Sequence, residues 1–123
     1  MSVYATDFAV RGKDDASPVT EADELDRVIP LIRETHRLFP NVLLSIDTFR
    51  SQVADSALEA GASVVNDISG GLQDPLIFQV AARHRAPYIL MHMRGTPQNM
   101  STLNDYQDLI QDLKIYFQTQ VAL

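Results

Sequence analysis

The stretch SIDTFRSQVADSALEAGASVVNDISGG, Ser45 to Gly71, carries one plan twice. A short apolar run ends in a cluster of polar residues and glycine: Asp47 and Thr48 after the first run, then Asn66, Asp67, Ser69 and Gly70 after the second. Between the runs, FRSQVADSALEAG places Val53, Ala57 and Leu58 on one helical stripe and Gly61 just past the helix end. Asp47 and Asn66 lie 19 residues apart, and Asn66 and His92 lie 26 apart, close to the length of one strand, loop, helix and loop. Strands alternating with helices at this spacing run parallel, because a parallel neighbour needs a crossover connection. The runs are apolar at consecutive positions, the pattern of strands covered on both faces. The predicted fold class is therefore α/β, with roughly three to four parallel βα units. In such sheets ligands bind at the carboxyl ends of the strands, which is where both polar clusters fall.

The flanking sequence extends the alternation. SPVTEADELDRVIPLIRETHRLFP reads as a helix, with Thr20 as N-cap, acids in the first turn, and Leu25, Val28, Ile29 and Ile32 on one face. Pro30 removes an amide donor and predicts a kink or a break. NVLLSID follows the Pro40 breaker as a strand, and ASVVNDI is the next. Asp74 and Pro75 read as N-cap and first position of a helix over LIFQVAARH, with APYILMHM as a further strand. From Asn104 onward Tyr106, Leu109, Ile110, Leu113 and Phe117 recur at helical spacing, the most amphipathic pattern in the chain. VYATDFAV near the start reads either as a fourth strand or as an irregular arm.

Composition narrows the partners. With 123 residues, 46% of them hydrophobic, the chain has material for one core and at most one domain. A formal net charge of -6 without any basic run excludes a nucleic-acid footprint and an anionic membrane surface. No run reaches membrane-spanning length, and no cysteine is present for a disulfide or a thiolate zinc site. A cytoplasmic protein that binds a small molecule or another protein is expected.

Among the polar residues, Asp47 accepts hydrogen bonds while Asn66 both donates and accepts, which suits a flat heterocycle offering ring nitrogens and amino groups. Helix capping is the competing role, and the one expected of Thr48, Asp67 and Ser69. Gly70 and Gly71 read as a tight turn, since they lack a phosphate-loop pattern. His36 and His84 are expected on helix surfaces. His92, at a strand end, reads as structural ahead of a site wall; Met91 and Met93 alternate with it, as core or as a soft wall for an aromatic ligand. Arg94 reads as an anion contact or as a solvated loop residue. The three histidines form no local metal motif.

From about Ser17 to the chain end, the Ser45 to Gly71 segment followed by ILMHMRGTPQNM resembles dihydropteroate synthase, of the pterin-binding barrel superfamily. The resemblance implies part of a (β/α)8 TIM barrel, a fold of about 250 residues. It divides the chain into an atypical arm or strand over 1–16 and a partial pterin-binding barrel domain over 17–123. It implies condensation of 6-hydroxymethyl-7,8-dihydropterin pyrophosphate with 4-aminobenzoate in folate biosynthesis, with magnesium. On this likeness Asp47 is the catalytic carboxylate, contacting the pterin and stabilising positive charge as the carbon–oxygen bond breaks. Asn66 is a pterin-binding amide, and Ile68 and Met91 are apolar walls. The likeness also has gaps: the DSFSDGG, DPGIGFGK, lysine-strand and Arg-x-His segments have no counterpart, and ATDFAVRGKDDA stands where the family has GGESTRPGA. The expectations are therefore no metal ligand in this chain, no activity of the chain alone, and a second copy or a complementary fragment as partner. The alternative is a non-catalytic pterin-binding or self-associating half-barrel. A pterin-using methyltransferase shares the superfamily fold, but MHMRGTP argues against it.

Overall fold

The first long helix shows how local chemistry sets the frame. In the computed structural model, which describes residues 3–7, 19–95, 99 and 102–122, α1 spans Glu21–Leu38. Thr20 accepts a hydrogen bond from the Asp23 amide at 3.2 Å, as an N-cap should. Val28 and Ile32 are buried on its inner face. Pro30 does not break the helix as the sequence suggests. It sits on the exposed side, where water can serve the Asp26 carbonyl that lost its amide partner.

Four strands follow the alternation read from the sequence: β1 Val3–Asp7, β2 Leu43–Asp47, β3 Val64–Asp67 and β4 Tyr88–Leu90. They form one sheet in the order β1-β2-β3-β4, and every neighbouring pair is parallel. The VYATD part of VYATDFAV, Val3–Asp7, thus supplies a strand. The division placed at 16/17 falls outside the described residues. Helices α2 (Ser51–Ala60) and α3 (Leu76–His84) connect the later strands, and α4 (Leu109–Val121) closes the order. Gly61 ends α2 with φ 117°, a left-handed conformation that favours glycine, and its amide reaches back to Ala57 and Leu58.

The core is a layer between helices and sheet: Val28 and Ile32 of α1, Leu44 and Ile46 of β2, Val53, Ala54 and Ala57 of α2, Val65 of β3, and Ile77 and Val80 of α3. The small alanines let α2 approach closely. Outside this layer, Asp55 of α2 meets His84 and Arg83 of α3, each at 2.6 Å. The hydrogen bond from His84, then that from Arg83, holds the Asp55 carboxyl below the usual aspartate range. His36 lies exposed on α1, as expected, and its ring fills the space beside Gly61.

Two expectations need correction. Consecutive apolar residues in the strands suggested cover on both faces, yet among the described residues the helices cover one, and on the other Ser45 is buried while Ile89 is 49% exposed. The tail is not the most one-sided helix. Helical structure starts only at Leu109, α4 buries no residue, and Ile110, Ile115 and Val121 are exposed, whereas α1 has the cleaner apolar face. An apolar stripe marks capacity for burial, and burial needs a partner surface that the described residues do not provide.

Candidate functional site

Parallel register brings the two repeated polar clusters side by side. Asp47 pairs with Asn66 across β2 and β3, Asp7 pairs with Asp47 on the other side, and Ile89 of β4 continues the rank. Adjacent strands lie about 4.8 Å apart, so Asp47 and Asn66 can contact one planar ligand together. Side chains alternate along a strand, and Ile46 and Val65, fully buried toward the helices, force Asp47 and Asn66 onto the uncovered face. Both are half-buried, as are Ile68 in the turn after β3 and Met91 just past β4. Asp47 and Asn66 are thus neighbours, with Ile68 and Met91 beyond the ends of the two following strands. Asp7 entered the rank only through the register, since its segment could equally be read as irregular.

The other polar residues hold the loops. Thr48, buried, accepts from the Arg50 amide at 3.2 Å at the entry to α2. Asp67 is fully buried and accepts from the Ser69 and Gly71 amides at 2.7 and 2.8 Å. Ser69 accepts from the Gln73 amide at 3.4 Å. None of the three caps a helix as expected: their bonds reach no amide of α2 or α3 and instead close the turns after β2 and β3. Asp74 does more than cap α3: besides the Leu76 amide at 3.2 Å, it takes the Ser51 amide of α2 at 2.8 Å. Burial pushes its pKa up, but the Ser51 hydroxyl and amide outweigh that and hold it below the usual range.

An ion pair at the mouth was not legible in sequence. Glu24 of α1, fully buried, pairs with Arg50, whose other nitrogen donates to the Val19 carbonyl at 2.6 Å. Arg50 also lies over the Phe49 ring. Glu24 read as one of several first-turn acids, and its partner lies 26 residues away. Arg94 is held over the Tyr106 ring and donates to the Asp105 carbonyl at 2.7 Å, which makes it a loop brace. His92 meets the edge of Tyr116 with ring centroids 4.7 Å apart, in line with its structural reading. Strand β4 ends at Leu90, so the alternation expected through Met93 is not kept: Met93 is buried and Met91 only partly.

Among the described residues no three His, Asp or Glu side chains converge on a point that could hold a metal ion. Asp67, fully buried at this end of the sheet, is already engaged by the Ser69 and Gly71 amides. No described helix is long and apolar enough to cross a membrane.

The model of the pterin binding enzyme family matches residues 9–123. The chain belongs to that family. It is 49% identical over 108 residues to a dihydropteroate synthase of Synechocystis, covering 88% of this chain and 37% of the relative. It is 51% identical over 94 residues to the folic acid synthesis protein fol1 of Pneumocystis carinii, covering 76% of this chain and 13% of the relative. Among solved structures, the Yersinia pestis dihydropteroate synthase in complex with a sulfonamide drug superposes with a TM-score of 0.78 at 39% identity, over 85% of this chain and 38% of that one. The Stenotrophomonas maltophilia synthase gives 0.76 at 36% identity, over 85% and 38%. The four parallel βα units are thus part of a TIM barrel of this pterin-binding family, and the chain spans well under half the length of each of these relatives.

Proposed function

We propose that this chain provides a pterin-binding wall of dihydropteroate synthase type, in the folate-pathway condensation of 6-hydroxymethyl-7,8-dihydropterin pyrophosphate with 4-aminobenzoate. The observation that carries the reading is the register that sets Asp47 beside Asn66 at the carboxyl ends of β2 and β3. A pterin ring presents amino and ring N–H donors to a carboxylate, and acceptors with donors to an amide, along one edge. Asp47 takes the donor side, Asn66 the mixed side, and Ile68 and Met91 cover the ring's apolar faces. As the carbon–oxygen bond to pyrophosphate breaks, positive charge spreads into the pterin, and the Asp47 carboxylate stabilises it.

The leaving pyrophosphate needs cations. The arginines following β2 and β4 are already engaged, Arg50 by Glu24 and Arg94 by Tyr106 and Asp105. This wall therefore binds the pterin and does not by itself drive departure of pyrophosphate. The test is equilibrium titration of the pure chain with a dihydropterin and, separately, with 4-aminobenzoate, alongside a turnover assay on both substrates. Saturable pterin binding, no aminobenzoate binding and no turnover are expected. Turnover by the chain alone would refute the division of labour, and a folded chain blind to pterin would refute the reading itself.

A second reading, self-association of the half-barrel without catalysis, is favoured by the exposure of Ile89 on the uncovered face. Sedimentation of a single stable monomer at high concentration would remove it.

A further inference from the structure

The pterin wall is braced from behind by two phenols. Asp67, fully buried on the helix side of β3, accepts not only the Ser69 and Gly71 amides but also the Tyr88 hydroxyl of β4 at 2.6 Å. Tyr88 is in register with Val65, a core residue, and so stands on the face opposite Asn66. Burial, and then the bond to Asp67, pushes the Tyr88 pKa far up, so the proton stays on the phenol and Tyr88 remains the donor. The second phenol is Tyr116 of α4, which donates to the Met91 carbonyl at 3.0 Å. It packs against Gly70, where a Cβ would collide with the Tyr116 hydroxyl and lie 2.9 Å from the Met91 carbonyl oxygen. Glycine at 70 lets the two loops close on each other.

The residues these phenols hold interleave with the wall itself. Asn66 and Ile68 flank Asp67 in sequence, and Met91 carries the carbonyl that Tyr116 grips. Ladder pairing with Asp47 and Ile89 holds Asn66, but it cannot fix Ile68 or Met91, because β3 ends at Asp67 and β4 at Leu90. Beyond those points the backbone is set by side-chain bonds, and recognition of a ring edge tolerates displacement of only about 0.5 Å.

We propose that Tyr88 and Tyr116 are positioning residues that fix Ile68 and Met91, just beyond the strand ends, without touching the ligand. The proposal rests on the pterin-wall reading, and its test separates the two. Tyr88→Phe keeps the ring contact with Phe78, at 4.9 Å between centroids, and removes only the hydroxyl. In the ligand-free chain, amide exchange at Ser69 and Gly71 should rise about tenfold, and the Ile68 methyl resonance should move, while Val28 and Ile32 methyls stay. Tyr116→Phe should move the Met91 methyl and leave Ser69 and Gly71 exchange alone. Dihydropterin affinity, measured well below the melting transition, should fall about tenfold in Tyr88→Phe. A role confined to stability would leave the affinity of the folded protein unchanged, and that result overturns the proposal. If the parent chain binds no pterin, the pterin-wall reading fails and the resonances alone decide: a displaced Ile68 methyl signal upholds the brace, an unmoved one overturns it. If Tyr88→Phe does not fold, Tyr116→Phe and the Met91 methyl carry the same decision.

Discussion

On the helix side of the sheet, Leu44, Ile46 and Val65 are buried against α1, α2 and α3; on the other side Ser45 is buried, but toward the carboxyl ends the strands present Asp47, Asn66 and Ile89, half-buried or exposed. The two faces alternate residue by residue, so Ile46 and Asp47 are chain neighbours with opposite work. Burial on the first face stabilises the chain, and the second carries the hydrogen-bonding groups of the proposed pterin wall. The lesson is that stability and binding should be separable by substitutions one residue apart, which a site buried in its own core would not allow.

The largest effect expected on the covered side comes from the Glu24–Arg50 pair. Arg50→Ala leaves the fully buried Glu24 without its cation and should cost about 3–5 kcal/mol in denaturant unfolding. Cavity formation comes next. Ile77→Ala, at a fully buried site, should lower stability by about 3 kcal/mol, with pterin affinity of the folded fraction intact. A smaller effect follows from acid. Asp55 and Asp74 are held below their unfolded values, so their stabilisation is complete above the ordinary aspartate range and is lost as pH falls through the depressed folded pKa values. A stability profile should therefore decline below about pH 4, and Asp55→Asn should flatten part of that decline by less than about 1 kcal/mol, since the pair is partly solvated. The smallest effect belongs to the uncovered face: Ile89→Thr should change stability by no more than about 0.5 kcal/mol. If it costs as much as Ile77→Ala, that face is covered in solution and self-association accounts for it.

What the sequence made legible was local or periodic. The spacing of Asp47 and Asn66 gave the parallel order and its polar rank, and Thr20 and Gly61 gave helix ends. What escaped was long-range or depended on a neighbour. Glu24 looks like any first-turn acid until Arg50 is brought to it. Asp67 looks like a local cap, and its bond to Tyr88 exists only because β3 and β4 pair. Pro30 appeared to be a breaker because sequence does not say which side of α1 faces water. The tail's apolar residues mark a surface able to be buried, and exposure of Ile110 and Val121 on α4 reflects which partner surfaces are described. The side-by-side placement of Asp47 and Asn66 was legible because it follows from strand register; the phenols behind them were not, because their bonds follow from tertiary packing.

The most direct test of the central claim is a calorimetric titration of a dihydropterin into the purified chain and into Asp47→Asn and Asn66→Ala, with the melting temperature of each sample recorded. Saturable binding by the parent chain, loss of that binding in both variants, and melting temperatures within a few degrees of one another are expected, because both residues lie on the face that does not hold the core. Binding that survives both substitutions, or a folded parent chain that binds no pterin, would contradict the claim.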